Sequence, residues 1–153
     1  MMQEFIERTE TIFSEIGYDV FDREQTEDMF QASFGRNGKF DGSFFIEKES
    51  NFIELAYTYT FDNDEERFLR EHLESMLDIC YEYGSYFNIL KVDGEIHFSV
   101  FTKIYFSGFN LESLSDTLED FTACIQELAI MFDLEEEEEE ENRHLDSEDG
   151  IGL

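Results

Sequence analysis

The sequence predicts an α+β domain: an antiparallel sheet packed with helices. Three observations predict it. The apolar period switches between helical three- and four-residue spacing and strict alternation. Asn37-Gly38 and Asp93-Gly94 each interrupt an alternating run with the dipeptide that a tight hairpin favours. Strands come in runs broken by single helices, which argues against the alternation of a parallel α/β sheet. The expected order is α-β-β-β-α-β-β-α, with a domain over residues 1–134 and a disordered acidic tail over 135–153.

Residues 2–16 place Phe5, Ile6, Thr9, Ile12, Phe13 and Ile16 on one stripe of an amphipathic helix that ends at Gly17. A polar segment around Asp22 to Asp28 reads as a connection. Phe30, Ala32 and Phe34 then form one face of a strand, and Asn37-Gly38 supplies two positive-φ positions for a turn. The returning strand sets Phe40, Phe44 and Ile46 on one side, with Phe45 interrupting the polar side. A third strand carries Ile53, Leu55, Tyr57, Tyr59 and Phe61.

Asn63 with Glu66 three residues later has the form of a helix cap with a back-bonding acid. The helix it opens carries Phe68, Leu69, His72, Leu73, Met76, Leu77 and Cys80, and Gly84 closes it. Strands over 86–92 and 95–104 flank Asp93-Gly94. Asn110 caps a last helix with Leu111, Leu114, Leu118, Phe121, Ile125, Leu128 and Phe132 along one face. Seven consecutive glutamates, Glu135 to Glu141, repel one another, which makes the tail an expected disordered segment.

Asp plus Glu number 39 against 10 Lys plus Arg, a net charge of -29. Direct binding to nucleic acid or to an anionic membrane is opposed by such a field, and a basic protein partner is favoured. Cys80 and Cys124 sit in apolar helical patterns, where thiols act as small core groups. No apolar stretch approaches the ~20 residues that cross a bilayer, and no charged segment precedes an apolar one, so the expected location is cytoplasmic.

No catalytic signature stands out. Carboxylates are so frequent that spacing alone nominates no acid/base pair. His72, His97 and His144 share no metal-ligand spacing with either cysteine. Neither Asp62-Asn63-Asp64 nor Asp146 to Gly150 continues into a twelve-residue calcium loop. The expectation is a non-enzyme without cofactor or metal.

The stretch Tyr86-Phe87-Asn88-Ile89-Leu90-Lys91-Val92-Asp93-Gly94-Glu95, the alternating strand to Ile104, the Gly108 loop and the helix from near Leu111 resemble a bacterial family, the YbjN-like sensory-transduction regulators. These are related in fold to the type III secretion chaperones. Gly17-Tyr18, at the end of the first helix, is similar to the same family. The resemblance covers about residues 2–133 by element order and 86–130 by pattern. It implies a sheet with helices packed on it, a role in binding proteins and, in the chaperone branch, a homodimer. It implies no catalytic or ligand residues.

Once each strand has a core face, Phe45 and Phe101 point to the opposite side, and residues 86–92 are apolar on both faces. Phe45, Phe87, Ile89 and Phe101 are therefore the candidate surface for a second copy of the chain, in a homodimer, or for another protein partner. The expected function is a non-catalytic adaptor or chaperone-like module. The competing reading is an acidic decoy that displaces nucleic acid from a basic protein, and a small-molecule sensor is a third class.

Overall fold

The computed structural model describes the backbone of residues 2–147 and the side chains of residues 2–132. In order along the chain come α1 (Met2–Ile16), β1 (Asp19–Gln25), β2 (Met29–Gly35), β3 (Gly42–Glu47) and β4 (Phe52–Asp62). A 3₁₀ turn (Asn63–Glu65) leads into α2 (Glu66–Glu71) and α3 (Leu73–Glu82). They are followed by β5 (Tyr86–Val92), β6 (Glu95–Tyr105), a second 3₁₀ turn (Phe106–Gly108) and α4 (Leu111–Ser147). The expected acidic tail, 135–153, and His144 lie outside the described side chains, and 148–153 lie outside the described backbone.

The architecture is α+β, with one six-stranded sheet in the order β1-β2-β3-β4-β6-β5 and every neighbouring pair antiparallel. Alternation fixes which side chains share a face. Phe30, Ala32, Phe34, Phe44, Ile46, Ile53, Leu55, Ile96, Phe98 and Val100 all point to one side and are buried. Onto them pack Ile6 and Phe13 of α1, Leu69 of α2, Met76 of α3, and Leu114, Phe121, Leu128 and Phe132 of α4. Phe13 anchors one end, stacked on Phe44 at 4.8 Å and tilted against Phe34 at 5.1 Å. Each such ring contributes about 1.5–3 kcal/mol by leaving water.

The helix ends follow from local chemistry. Gly17 has φ +102, the Tyr18 amide donates to the Phe13 carbonyl at 2.9 Å, and the Gly17 amide donates to Ser14 at 3.0 Å. Ser85 and Gly84 repeat this paired closure on Cys80 and Tyr81 at the end of α3. At the start of α4 the Ser113 amide donates to Asn110 Oδ1 at 2.8 Å, while Ser113 Oγ accepts from the Asn110 amide at 2.9 Å. Asn37 and Gly38 (φ 57 and 75) and Asp93 and Gly94 (φ 48 and 82) both take the positive-φ pairs expected of them.

Four local expectations are corrected. The segment after α1 contains a strand: β1 pairs with β2, interrupted by a bulge between Phe21 and Glu24, with Asp22 at φ 52. Its polar composition and the bulge hide any alternation. Phe40 lies in the β2–β3 loop, because the hairpin closes with the Asp41 amide on the Phe34 carbonyl and β3 starts at Gly42.

Asn63 does not cap. It opens the 3₁₀ turn, whose preceding Asp62 makes no side-chain cap bond, and Glu66 instead pairs with Lys91 and Arg70. The long second helix is two helices that meet at His72 (φ -105, ψ 11), whose Nδ1–H donates to the Phe68 carbonyl at 2.8 Å. The break shifts the helical phase, so Met76 and Cys80 are buried while Leu73, Leu77 and Tyr81 face solvent.

Candidate partner-binding face

All the helix contacts with the core lie on one side of the sheet. The other side carries no helix among the described residues, and strand register lays out its side chains in rows. One row crosses all six strands: Phe21, Ser33, Ser43, Ala56, Phe101 and Tyr86. Small groups occupy its centre and aromatic rings its ends. The adjacent row holds Gln31, Phe45, Glu54 and Lys103, and beyond it Phe52 faces Tyr105.

The aromatic end of this face is ordered by mutual contacts. Tyr86 stacks on Phe101 with centroids 5.6 Å apart, and Phe52 meets Tyr105 edge-on at 5.9 Å. Lys103 Nζ lies 4.5 Å from the Phe52 ring centre and 5.6 Å from that of Tyr86. An exposed cation over a ring is worth roughly 0.5–1 kcal/mol. The Tyr86 hydroxyl donates to Glu54 Oε2. Burial and then that bond push the Tyr86 phenol well above its ordinary range, since the carboxylate stabilises the neutral phenol and opposes a second negative charge.

Toward the β5–β6 turn the face becomes polar along β4 and β6, beside the exposed Leu90 and Val92 of β5. Thr58 and Ser99 hydroxyls hydrogen-bond at 2.8 Å, and His97 Nε2 lies 3.5 Å from Glu95 Oε1.

Of the four residues expected to form one surface, the fold brings Phe45 and Phe101 to this face and sends Phe87 and Ile89 to the other. Phe87 pairs with Val100 and Ile89 with Phe98, both core-facing positions, and Phe87 stacks on Phe98 at 4.8 Å. A strand with apolar residues on both faces cannot contribute all of them to one side. Phe21, Phe52, Tyr86 and Tyr105, outside that expected set, share the face with Phe45 and Phe101. Tyr86 and Tyr105 are legible in retrospect, since they alternate in phase with positions opposite and beside Phe101.

Away from this face, two groups of titratable side chains come together among the described residues. Cys124 Sγ lies 4.0 Å from Cys80 Sγ, a buried pair joining α3 to α4, which two separate helical patterns do not reveal. The hydrogen bond with Cys124 and burial both push the Cys80 thiol upward. Asp62, Asp64 and Glu65 bring carboxylate oxygens within 4.8 Å of one another, with both Asp side chains open to solvent. No helix among the described residues is long and apolar enough to cross a membrane.

No protein-family model matches the chain, and no curated protein matches it. Among solved structures it is similar to the crystal structure of an uncharacterized protein from Methanothermobacter thermautotrophicus. The match has 14% sequence identity and a TM-score of 0.63, covering 89% of this chain and 98% of that one. At this identity the likeness establishes a shared α+β fold.

Proposed function

We propose that this chain is a non-catalytic protein-binding module, an adaptor or chaperone-like regulator, that holds its partner on the helix-free face of the sheet. One observation carries the reading: the helices are all packed on one side, leaving Phe45, Phe52, Phe101, Tyr86 and Tyr105 together on the other. A sheet face with clustered aromatics and small residues between them suits contact with apolar side chains.

The partner is a basic protein. The chain carries a net charge of -29, and the face itself bears Glu47, Glu54, Asp62 and Glu95, so Lys or Arg around an apolar patch is attracted to it. A second copy on the same face would bring two such fields together.

The test compares Phe101→Glu with Leu77→Glu in partner recovery on the purified chain, at low and high salt, with folding checked by circular dichroism. Both changes add one acid at an apolar surface, but Leu77 is on α3, away from the face. Phe101→Glu should lose the partner that wild type and Leu77→Glu retain. Equal recovery by both variants would remove the face from consideration.

A further inference from the structure

The two rims of the sheet are β1 and β5, and β5 has no partner on its outer side among the described residues. Its register to β6 runs unbroken from Tyr86↔Phe101 to Val92↔Glu95. Its sequence, Tyr86-Phe87-Asn88-Ile89-Leu90-Lys91-Val92, contains no acid in a chain with 39. Ile89, Leu90 and Val92 are exposed, Leu90 by 55%. Long, regular, apolar rims with open backbone groups are templates for another strand.

The turn identifies which groups are open. Asp93-Gly94 forms a two-residue turn, so Val92 and Glu95 are a hydrogen-bonded pair, and pairs alternate from there. Leu90, Asn88 and Tyr86 then direct their amides and carbonyls to β6. Phe87, Ile89 and Lys91 direct theirs outward, where water or another strand must satisfy them.

The occupant's chemistry is set by these groups and by charge. Unpaired amides and carbonyls at every second residue call for an extended backbone. The exposed Leu90 and Val92, both on the helix-free face, call for apolar side chains on that same face of an added strand. Lys91 is engaged by Glu66, while Asp93 and Glu95 flank the turn end. The surrounding field is negative and attracts cationic residues.

We propose that the outer rim of β5 takes an extended segment of alternating apolar and Lys or Arg residues as a seventh strand. This rests on reading the chain as a protein-binding module and names the form in which its partner arrives.

The probe is a synthetic peptide alternating valine and lysine, with a glutamate-for-lysine peptide as counterpart, added to the full chain. Binding is read by fluorescence anisotropy and site by amide exchange. The lysine peptide should bind and slow exchange at Phe87, Ile89 and Lys91, with no change along Asp19–Gln25. Ile89→Pro removes an outward amide, which edge strands tolerate, and should weaken binding at least about tenfold. Ile89→Thr keeps the amide and should bind close to wild type.

Several results would overturn the proposal: equal binding by the two peptides, binding without protection of those amides, or an undiminished Ile89→Pro. Protection already present without peptide, with doubled mass in sedimentation, would give the rim to a second copy. The wild-type exchange pattern decides the matter even if Ile89→Pro does not fold. Loss of the β5 result with Phe101→Glu still abolishing partner recovery would sink the rim and leave the face standing.

Discussion

The two rims of this sheet are built in opposite ways. β1 is bulged between Phe21 and Glu24, turns through Asp22 in the left-handed region, and carries Asp19, Asp22 and Glu24. Arg23 Nε donates to Glu10 of α1 at 2.7 Å, tying the rim to its own helix. Each of these discourages a foreign strand. β5 has an unbroken register, a plain two-residue turn and no acid, and its one charge is directed to Glu66 rather than outward. Guarding one rim and leaving the other open restricts strand addition to a single side, while the helix-free face offers side-chain contact beside it.

The largest effect expected from breaking this contrast is at the two hairpins. A Cβ on Gly35 would sit 1.6 Å from the Lys39 carbonyl oxygen, so the β2–β3 loop must move to admit any side chain. Gly94, at φ +82, has open space around its Cβ position and opposes a side chain only through its backbone conformation. Urea unfolding should show Gly35→Ala losing about 3 kcal/mol and Gly94→Ala about 1 kcal/mol. Equal losses would mean that the β2–β3 loop is not tightly packed against β2.

A smaller change sharpens the comparison from the guarded side. Asp22 sits at φ 52, which Asp tolerates and a β-branched residue does not. Asp22→Val should cost about 1–2 kcal/mol while the bulge persists. If the strand instead straightens to avoid the strain, β1 becomes a regular rim and should associate. Sedimentation velocity beside the denaturation curve separates the two outcomes. A variant with the stability and the sedimentation of wild type would mean that the bulge has no protective role.

Legibility in the sequence follows the same division. β2, β3, β4 and β6 each keep one face against the helices, so alternation announces them, and Asn37-Gly38 and Asp93-Gly94 mark their turns. β1 has neither a buried face of its own nor a clean alternation, and it reads as a connection. The break at His72 is likewise silent, because Leu73 and Leu77 continue the apolar spacing although the backbone rotates them to solvent. For the candidate face, Phe45 and Phe101 stand out as apolar residues on polar sides. Phe87 and Ile89 mislead because a rim strand is apolar for two reasons at once: its inner face packs on Phe98 and its outer face meets Phe101. Which reason applies to which residue depends on pairing with β6, and pairing is a property of the folded sheet.

The smallest expected effect tests how the open rim joins the aromatic face, through Tyr86. The phenol's folded-state value is raised above the 10.0 of the unfolded chain, by burial and by the bond to Glu54. Below pH 10 both states keep the proton, and the Tyr86 contribution is fully present. Above it the unfolded chain releases the proton first, so the native state binds more protons and stability falls as pH rises. Tyr83, raised by its bond to Glu127, acts in the same direction. Tyr86→Phe should therefore shallow the alkaline decline without abolishing it. An ultraviolet phenolate titration should show one late-titrating tyrosine fewer than wild type. An unchanged alkaline limb would mean that Tyr86 is open to water and that β5 meets the aromatic face only loosely.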